Sequence, residues 1–143
     1  MKTDNIFRLV FPSRSCNESF ARTAVAAFAS ALDPTIDELA DLRTAVSEAV
    51  TNCIVHAYKE EYGLIYINAR VSGQTVTVSV RDKGCGIEDV EKAMQPTFTT
   101  AQGSERAGLG FSVMQAFTDS VKVRSTPGKG TTVTLKKRIA ARG

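Results

Sequence analysis

The sequence contains no tryptophan and one histidine, and its three cysteines are widely spaced without a Cys-x-x-Cys pair. Scattered cysteines in odd number predict neither a disulfide framework nor a zinc site, so we interpret Cys16, Cys53 and Cys85 as reduced thiols. No apolar run approaches the ~20 residues that cross a bilayer, and residues 1–5 lead into no signal-peptide segment. We therefore expect a cytoplasmic protein that does not bind membranes.

The composition is that of a folded domain, with 43% apolar and 23% charged residues. A chain of 143 residues fits a single domain, residues 1–143. The net charge of +3 gathers partly in Lys136, Lys137, Arg138 and Arg142. No aromatic residues interleave with these charges to stack bases, so a solvated tail is favoured over direct contact with nucleic acid.

The first helix is predicted from a capping-box pattern, Ser15-x-x-Glu18, and extends to about Leu32. The face predicted to contact the core holds Phe20, Ala24, Ala27, Phe28 and Ala31. The face predicted to lie outside holds Arg22, Val25, Ala26 and Ala29. Small residues around one arginine are typical of a protein interface, so Arg22 is a candidate partner-binding residue. The alternative is an alanine-rich helix without a binding role, since alanine is the best helix former.

A second capping box, Thr35-x-x-Glu38, begins a longer helix that runs to about Tyr58. Its predicted core stripe consists of Leu39, Leu42, Val46, Ala49, Val50, Cys53, Ile54 and Ala57. Shorter helices are predicted near residues 88–93 and from Gly108 to about Thr118. Five strands are predicted at residues 6–11, 64–71, 75–80, 121–124 and 131–137. The expected fold is an α+β sandwich, a mixed and mostly antiparallel sheet with helices on one face.

Glu48, Asn52 and His56 form a polar stripe at i, i+4 and i+8 on the otherwise apolar second helix. A carboxylate and a carboxamide one turn apart suit a magnesium nucleotide, because the amide oxygen can ligate the cation while the carboxylate accepts a proton. Taken alone, the pattern is more often a helix surface or a set of satisfied polar pairs.

Two glycine motifs follow. Asp82-x-Gly84-x-Gly86 leaves a strand, where a turn with two glycines lets backbone approach a flat ligand and the carboxylate can accept the adenine amine. Gly108-Leu109-Gly110 opens a helix, whose free N–H groups attract phosphate. An ordinary turn and an ordinary helix start are the alternatives for each motif alone.

The segment between these motifs, residues 95–107, has no periodicity and is rich in hydroxyl residues, namely Thr97, Thr99, Thr100 and Ser104. We predict a lid that orders over phosphates, with Arg106 meeting the γ-phosphate. A plain disordered loop is the alternative.

Together, the three motifs resemble the boxes of the GHKL ATP-binding fold shared by gyrase B subunits, Hsp90, MutL and histidine kinases. Gly130-Thr131 resembles the late Gly-Thr of that fold, which supports the adenine pocket. Residues 47–58, with Asn17-Glu18-Ser19-Phe20-Ala21-Arg22 and Leu32-Asp33-Pro34-Thr35, are similar to the anti-sigma serine kinases, most closely the anti-sigma F family of spore-forming bacteria. This similarity covers nearly the whole chain.

The resemblance implies a homodimeric, cytoplasmic enzyme that uses ATP and Mg²⁺, holds a sigma factor inactive and phosphorylates a serine of an anti-anti-sigma protein. By motif, it implies Glu48 as the base, Asn52 as the magnesium ligand and Asp82 as the adenine acceptor. The other implied nucleotide contacts are Gly84, Gly86, Arg106, Gly108, Gly110 and Thr131.

Two other functions stay open at this point. A nucleotide-gated binding module with negligible phosphotransfer would need Asn52 and Asp82 but no base, so the presence of Glu48 favours the enzyme. The catalytic domain of a histidine kinase is disfavoured because His56, the single histidine, lies on the ATP-site helix. A P-loop enzyme is disfavoured because no Gly-x-x-x-x-Gly-Lys-[Ser/Thr] occurs.

Overall fold

The computed structural model describes residues 5–58, 62–94 and 106–141. Strands and helices follow one another as β1 (Asn5–Pro12), α1 (Asn17–Ala29), α2 (Ile36–Asn52), β2 (Leu64–Ser72), β3 (Thr75–Asp82), α3 (Val90–Ala93), α4 (Arg106–Phe117), β4 (Ser120–Thr126) and β5 (Gly130–Arg138). A 3₁₀ turn, Ser30–Leu32, follows α1, and a π-helical turn, Cys53–Ala57, continues α2. Within the described ranges, no helix is long and apolar enough to cross a membrane.

The five strands form one sheet in the order β1-β2-β3-β5-β4, and all four pairings are antiparallel. The strands alternate between the two faces of the sheet: on β2, Ile65, Ile67 and Ala69 are buried, while Asn68 and Arg70 are exposed. The helices cover the buried face, where α2 contacts β3 and β5. The α+β prediction is confirmed, although none of the described strands is parallel to its neighbour.

Helix α2 begins where its sequence predicts. The Thr35 hydroxyl accepts the Glu38 N–H at 3.0 Å, and the Glu38 carboxylate accepts the Thr35 N–H at 2.8 Å, which completes the capping box. Its predicted core positions Leu42, Val46, Ala49, Val50 and Cys53 are buried, whereas Leu39, Ile54 and Ala57 are half-buried. Both α1 and α4 pack against this long helix.

The predicted capping box of α1 is wrong. The helix begins at Asn17, two residues after Ser15, and its N-cap, Cys16, makes no side-chain cap bond. The carboxylate of Glu18 instead accepts hydrogen bonds from Arg22 at 3.0 Å and from the Ser47 hydroxyl of α2 at 2.6 Å. A tertiary contact between two helices has replaced the local cap.

The predicted faces of α1 are wrong, apart from Phe28, which is half-buried and packs against the core. Val25, Ala26 and Ala29, expected outside, are buried, whereas Phe20, expected in the core, is 53% exposed. The physical reason is that α1 packs along α2, and small side chains allow two helices to approach closely. The smooth face is therefore a helix–helix contact, and it no longer supports Arg22 as a partner-binding residue.

Both predicted hairpins are present, with slightly longer strands. Gly73, at φ 58°, lies in the turn between β2 and β3, and Gly128, at φ 79°, lies in the turn between β4 and β5. Helix α3 has four residues, Val90–Ala93, and is shorter than expected. Residues 95–105 of the predicted lid lie outside the described residues.

Candidate functional site

A cavity of about 390 Å³ lies between α2 with its π turn, the C-terminal end of β3, the start of β5, α3 and α4. Its polar lining includes Asn52, His56, Asp82, Cys85 and Thr131. Its apolar lining includes Ala49, Ala57, Ile87, Ala93, Phe111 and Val133. A mostly apolar cleft with a few polar groups is the usual form of a small-molecule site.

Asn52 is the last residue of α2 and lines this cavity. Within the described part of the chain, its side-chain oxygen Oδ1 is buried without a hydrogen-bond partner. A Cβ at Gly110 would lie 2.9 Å from this oxygen, so glycine lets α4 approach Asn52 closely. A buried amide oxygen without a partner in a cavity is a fitting ligand for a hard cation such as Mg²⁺.

The π turn at Cys53–Ala57 was not predicted, because the apolar spacing of the sequence reads as a continuous α-helix. The turn is tied to the loop after β3, where the Cys85 N–H donates to the Ala57 carbonyl at 3.1 Å. The Lys83 N–H donates to the Tyr58 hydroxyl at 2.6 Å. Single π turns inside helices are frequent at functional sites, and this one brings Cys53 and His56 to the cavity wall.

Asp82, the last residue of β3, is 6% exposed. Its Oδ1 accepts the Gly84 N–H at 2.9 Å, and its Oδ2 accepts the Cys53 S–H at 3.4 Å. Burial raises the pKa of the Asp82 carboxyl, while its hydrogen bonds to the Gly84 amide, the Cys53 thiol and the Thr131 amide oppose that shift. The result is a fixed carboxylate acceptor in a poorly solvated cavity.

The glycines after Asp82 are required by packing within the protein. A Cβ at Gly84 would collide with the Ala57 carbonyl. Gly86, at φ 76°, lies against the backbone of Thr126 and lines the cavity. The sequence predicts that these glycines let the backbone approach a ligand. The structure shows that they also let the backbone approach neighbouring segments of the protein.

Thr131 begins a hydroxyl network that its motif did not predict. Its side chain lies 2.8 Å from the Ser125 hydroxyl, which donates to the Gly130 carbonyl at 3.0 Å. The same Ser125 oxygen accepts the Ile87 N–H at 2.7 Å. The network joins the β4–β5 hairpin to the loop after β3. Only the register that places Ser125 opposite Thr131 in β4 and β5 could have revealed it.

Glu48 does not line the cavity with Asn52. It lines a second cleft of about 270 Å³ between α1 and α2, with Arg22, Ala40, Arg43, Thr44 and Ser47. The polar stripe of α2 is therefore divided between two clefts, Glu48 facing one and Asn52 with His56 facing the other.

The phosphate motif lies at the start of α4, which begins at Arg106, two residues before the predicted start at Gly108. Gly108 and Gly110 thus lie in the first turns of the helix, near the end whose N–H groups attract anions. The side chain of Arg106, and with it the predicted contact to a γ-phosphate, lies outside the described residues.

Comparisons with known proteins bear on the family and the fold. Residues 11–137 match the model of the histidine kinase-like ATPase domain. The chain is 60% identical to an anti-sigma F factor of Thermoanaerobacter sp. (strain X514), with 99% of each chain covered. It is 49% identical to the anti-sigma F factor of Clostridium acetobutylicum, with 96% of each chain covered.

Two solved structures share the fold at low identity. The RsbU and RsbW domains of Rv1364c from Mycobacterium tuberculosis match with a TM-score of 0.70 and 20% identity, covering 96% of this chain and 34% of that one. The histidine kinase domain of the Erythrobacter litoralis EL346 blue-light activated histidine kinase matches with a TM-score of 0.57 and 18% identity, covering 85% of this chain and 60% of that one.

Proposed function

We propose, since the chain belongs to the histidine kinase-like ATPase domain family and within it to the anti-sigma F factors, that it is an ATP-dependent protein-serine kinase that also inhibits a sigma factor. The observation that carries the proposal is the convergence of Asn52 and Asp82 on one cavity. A hydrogen bond joins the two motifs there: Cys53, the residue after Asn52, donates to Asp82, 29 residues further along the chain.

In this proposal the cavity holds ATP with Mg²⁺, which supply the phosphoryl group and the charge that neutralises it. Asp82 accepts a hydrogen bond from the exocyclic amine of adenine, and Thr131 supports the same end. Asn52 ligates Mg²⁺ through its buried Oδ1. The backbone of Gly84 and Gly86 shapes the adenine end, while Gly108, Gly110 and Arg106 bind phosphate.

Glu48 is the proposed general base, and its carboxylate accepts the proton of the attacking serine hydroxyl. It lies one helical turn before Asn52, on the same helix and in the neighbouring cleft between α1 and α2. We infer that the protein substrate approaches over this cleft, since Glu48 and Asn52, one turn apart on α2, can bring the acceptor hydroxyl and the nucleotide together.

The proposed partners are a sporulation sigma factor and an anti-anti-sigma protein. The names of the relatives at 60% identity, which are anti-sigma F factors, support a sigma factor as one partner. Arg22 is retained as a proposed partner contact because it lines the cleft that holds Glu48. A cytoplasmic homodimer without direct nucleic-acid or membrane contact completes the proposal.

The position of Glu48 outside the cavity favours one second candidate, a nucleotide-gated sigma-binding module with negligible phosphotransfer. Radiolabelled ATP, mixed with this chain and a purified anti-anti-sigma protein of a Thermoanaerobacter species, separates the two. Acid-stable phosphate on a serine of that protein is expected for the kinase. Nucleotide-dependent complexes without phosphate would identify the module.

A further inference from the structure

We propose that Cys53 is a positioning residue for nucleotide selectivity, its buried thiol holding the Asp82 carboxylate in the orientation that accepts the adenine amine. The inference rests on the proposed function for its ligand. The hydrogen bond between the two side chains does not depend on the proposed function.

The contact between Cys53 and Asp82 is a buried hydrogen bond. Cys53 is 4% exposed and begins the π turn, and its sulfur lies 3.4 Å from Oδ2 of Asp82. The Cys53 thiol donates to this oxygen, and both residues are buried, at 4% and 6% exposure.

The two oxygens of Asp82 are held from different sides. The Gly84 amide donates to Oδ1, and the Cys53 thiol donates to Oδ2. Together they fix rotation of the carboxyl group about its last bond. Each carboxylate oxygen has two lone pairs, so the thiol leaves Oδ2 able to accept a second hydrogen bond from a ligand in the cavity.

Without Cys53 the carboxylate would keep its backbone donors but lose the side-chain donor at Oδ2, and its orientation would be less tightly held. Affinity for adenine nucleotides should then fall, while contacts to ribose and phosphate persist. Inosine triphosphate (ITP), which carries a carbonyl in place of the adenine amine, should lose little. The ratio of ATP to ITP affinity therefore reports on the orientation of Asp82.

The experiment is calorimetric titration of Mg·ATP and Mg·ITP into the full chain and three variants. Cys53→Ala should lower the ATP-to-ITP affinity ratio about five- to tenfold, tenfold being about 1.4 kcal/mol at 25 °C. Cys53→Ser, which keeps a donor at this position, should restore the ratio to within about twofold. Val50→Ala removes volume from the buried side of the same helix and should leave the ratio unchanged while lowering the melting temperature.

The infrared S–H stretching band tests the hydrogen bond without any nucleotide. In the unliganded chain the band of Cys53 should lie below that of the exposed Cys16, and Asp82→Asn should move it. An unchanged ratio in Cys53→Ala, a serine that fails to restore it, or an unshifted band alongside normal ATP preference would overturn the role of Cys53 alone. Equal affinity of the unmutated chain for ATP and ITP would overturn the adenine assignment of the proposed function, and the selectivity role with it.

Discussion

The two clefts that flank α2 differ in the partners of their carboxylates. In the cavity, the buried Asp82 carboxylate is held by an uncharged amide and an uncharged thiol. In the cleft between α1 and α2, Arg22 pairs with Glu18 at 3.0 Å, and Ser47 bonds the same carboxylate. The cavity thus keeps polar groups ready for a ligand, whereas the α1–α2 cleft uses part of its polarity to join two helices.

The largest expected effect tests whether the α1–α2 cleft takes part in the chemistry. Glu48→Gln should slow phosphotransfer to the protein substrate by about 10²- to 10⁴-fold, the range for a lost general base, while ATP affinity stays nearly unchanged. Single-turnover phosphorylation measures the rate, and calorimetry measures the affinity. An unchanged single-turnover rate would remove Glu48 as the base and confine the chemistry to the cavity.

Asn52→Ala should next abolish magnesium-dependent ATP binding, because it deletes the buried oxygen that has no partner within the described residues. Calorimetric titrations with and without Mg²⁺ isolate the metal-dependent part. Asn68→Ala, on the solvent-exposed face of β2, is the matched control and should bind normally. Normal magnesium-dependent affinity in Asn52→Ala would reject the metal role.

Arg22→Glu addresses the α1–α2 cleft from the other side. It should weaken binding of the sigma factor or the anti-anti-sigma protein by at least ~2 kcal/mol, the usual hot-spot threshold, and leave ATP affinity unchanged. Because the variant places a second carboxylate one turn from Glu18, where a partly exposed ion pair stood, a small loss of stability is also expected. Arg70→Glu, on the exposed face of the sheet, is the charge-matched control. Undiminished binding to both partners would take Arg22 out of the interface.

Asp82→Asn should weaken ATP binding by roughly 1–3 kcal/mol through a mismatched polar contact. Since the pKa of Asp82 is raised, ATP affinity in the unmutated chain should fall on mild acidification, at a pH above the usual aspartate range. The variant should lack this transition. Calorimetry across pH measures both, and an identical pH profile in Asp82→Asn would contradict the assignment.

The smallest effect concerns the stability of the unliganded fold. A pKa raised by folding means that the protonated Asp82 is favoured in the native state. Its stabilising contribution is present below the unfolded pKa and is lost as pH rises through the folded pKa. Asp82→Asn should therefore resist urea slightly better than the unmutated chain at neutral pH. A clear loss of stability would show that the ionised carboxylate supports the fold.

Sequence predicted best where local signals and packing agree. The capping box of α2 and its core stripe are both present because the helix is long and its apolar spacing is strong. The same reasoning failed for α1, because its small residues pack in a close helix–helix contact, and the sequence does not show which helix will lie against them. Glu18, which fits a cap by spacing, binds Arg22 and Ser47 instead.

The sequence predicted the motif residues of the site but not the features that depend on tertiary packing. Asn52, Asp82, Gly86 and Thr131 line one cavity, as their motifs indicated. The π turn and the bond from Cys53 to Asp82 depend on how the loop after β3 docks on α2, which is a tertiary property. The placement of Glu48 in a separate cleft likewise depends on where α1 packs.

The central claim is that the cavity beside Asn52 and Asp82 is an adenine nucleotide site. Calorimetric titration of the unmutated chain with Mg·ATP and with Mg·GTP tests it most directly, because guanine carries a carbonyl where adenine carries the amine that Asp82 accepts. We predict saturable binding of ATP at one site per chain and much weaker binding of GTP. Equal affinity for the two nucleotides, or no binding of ATP, would contradict the account.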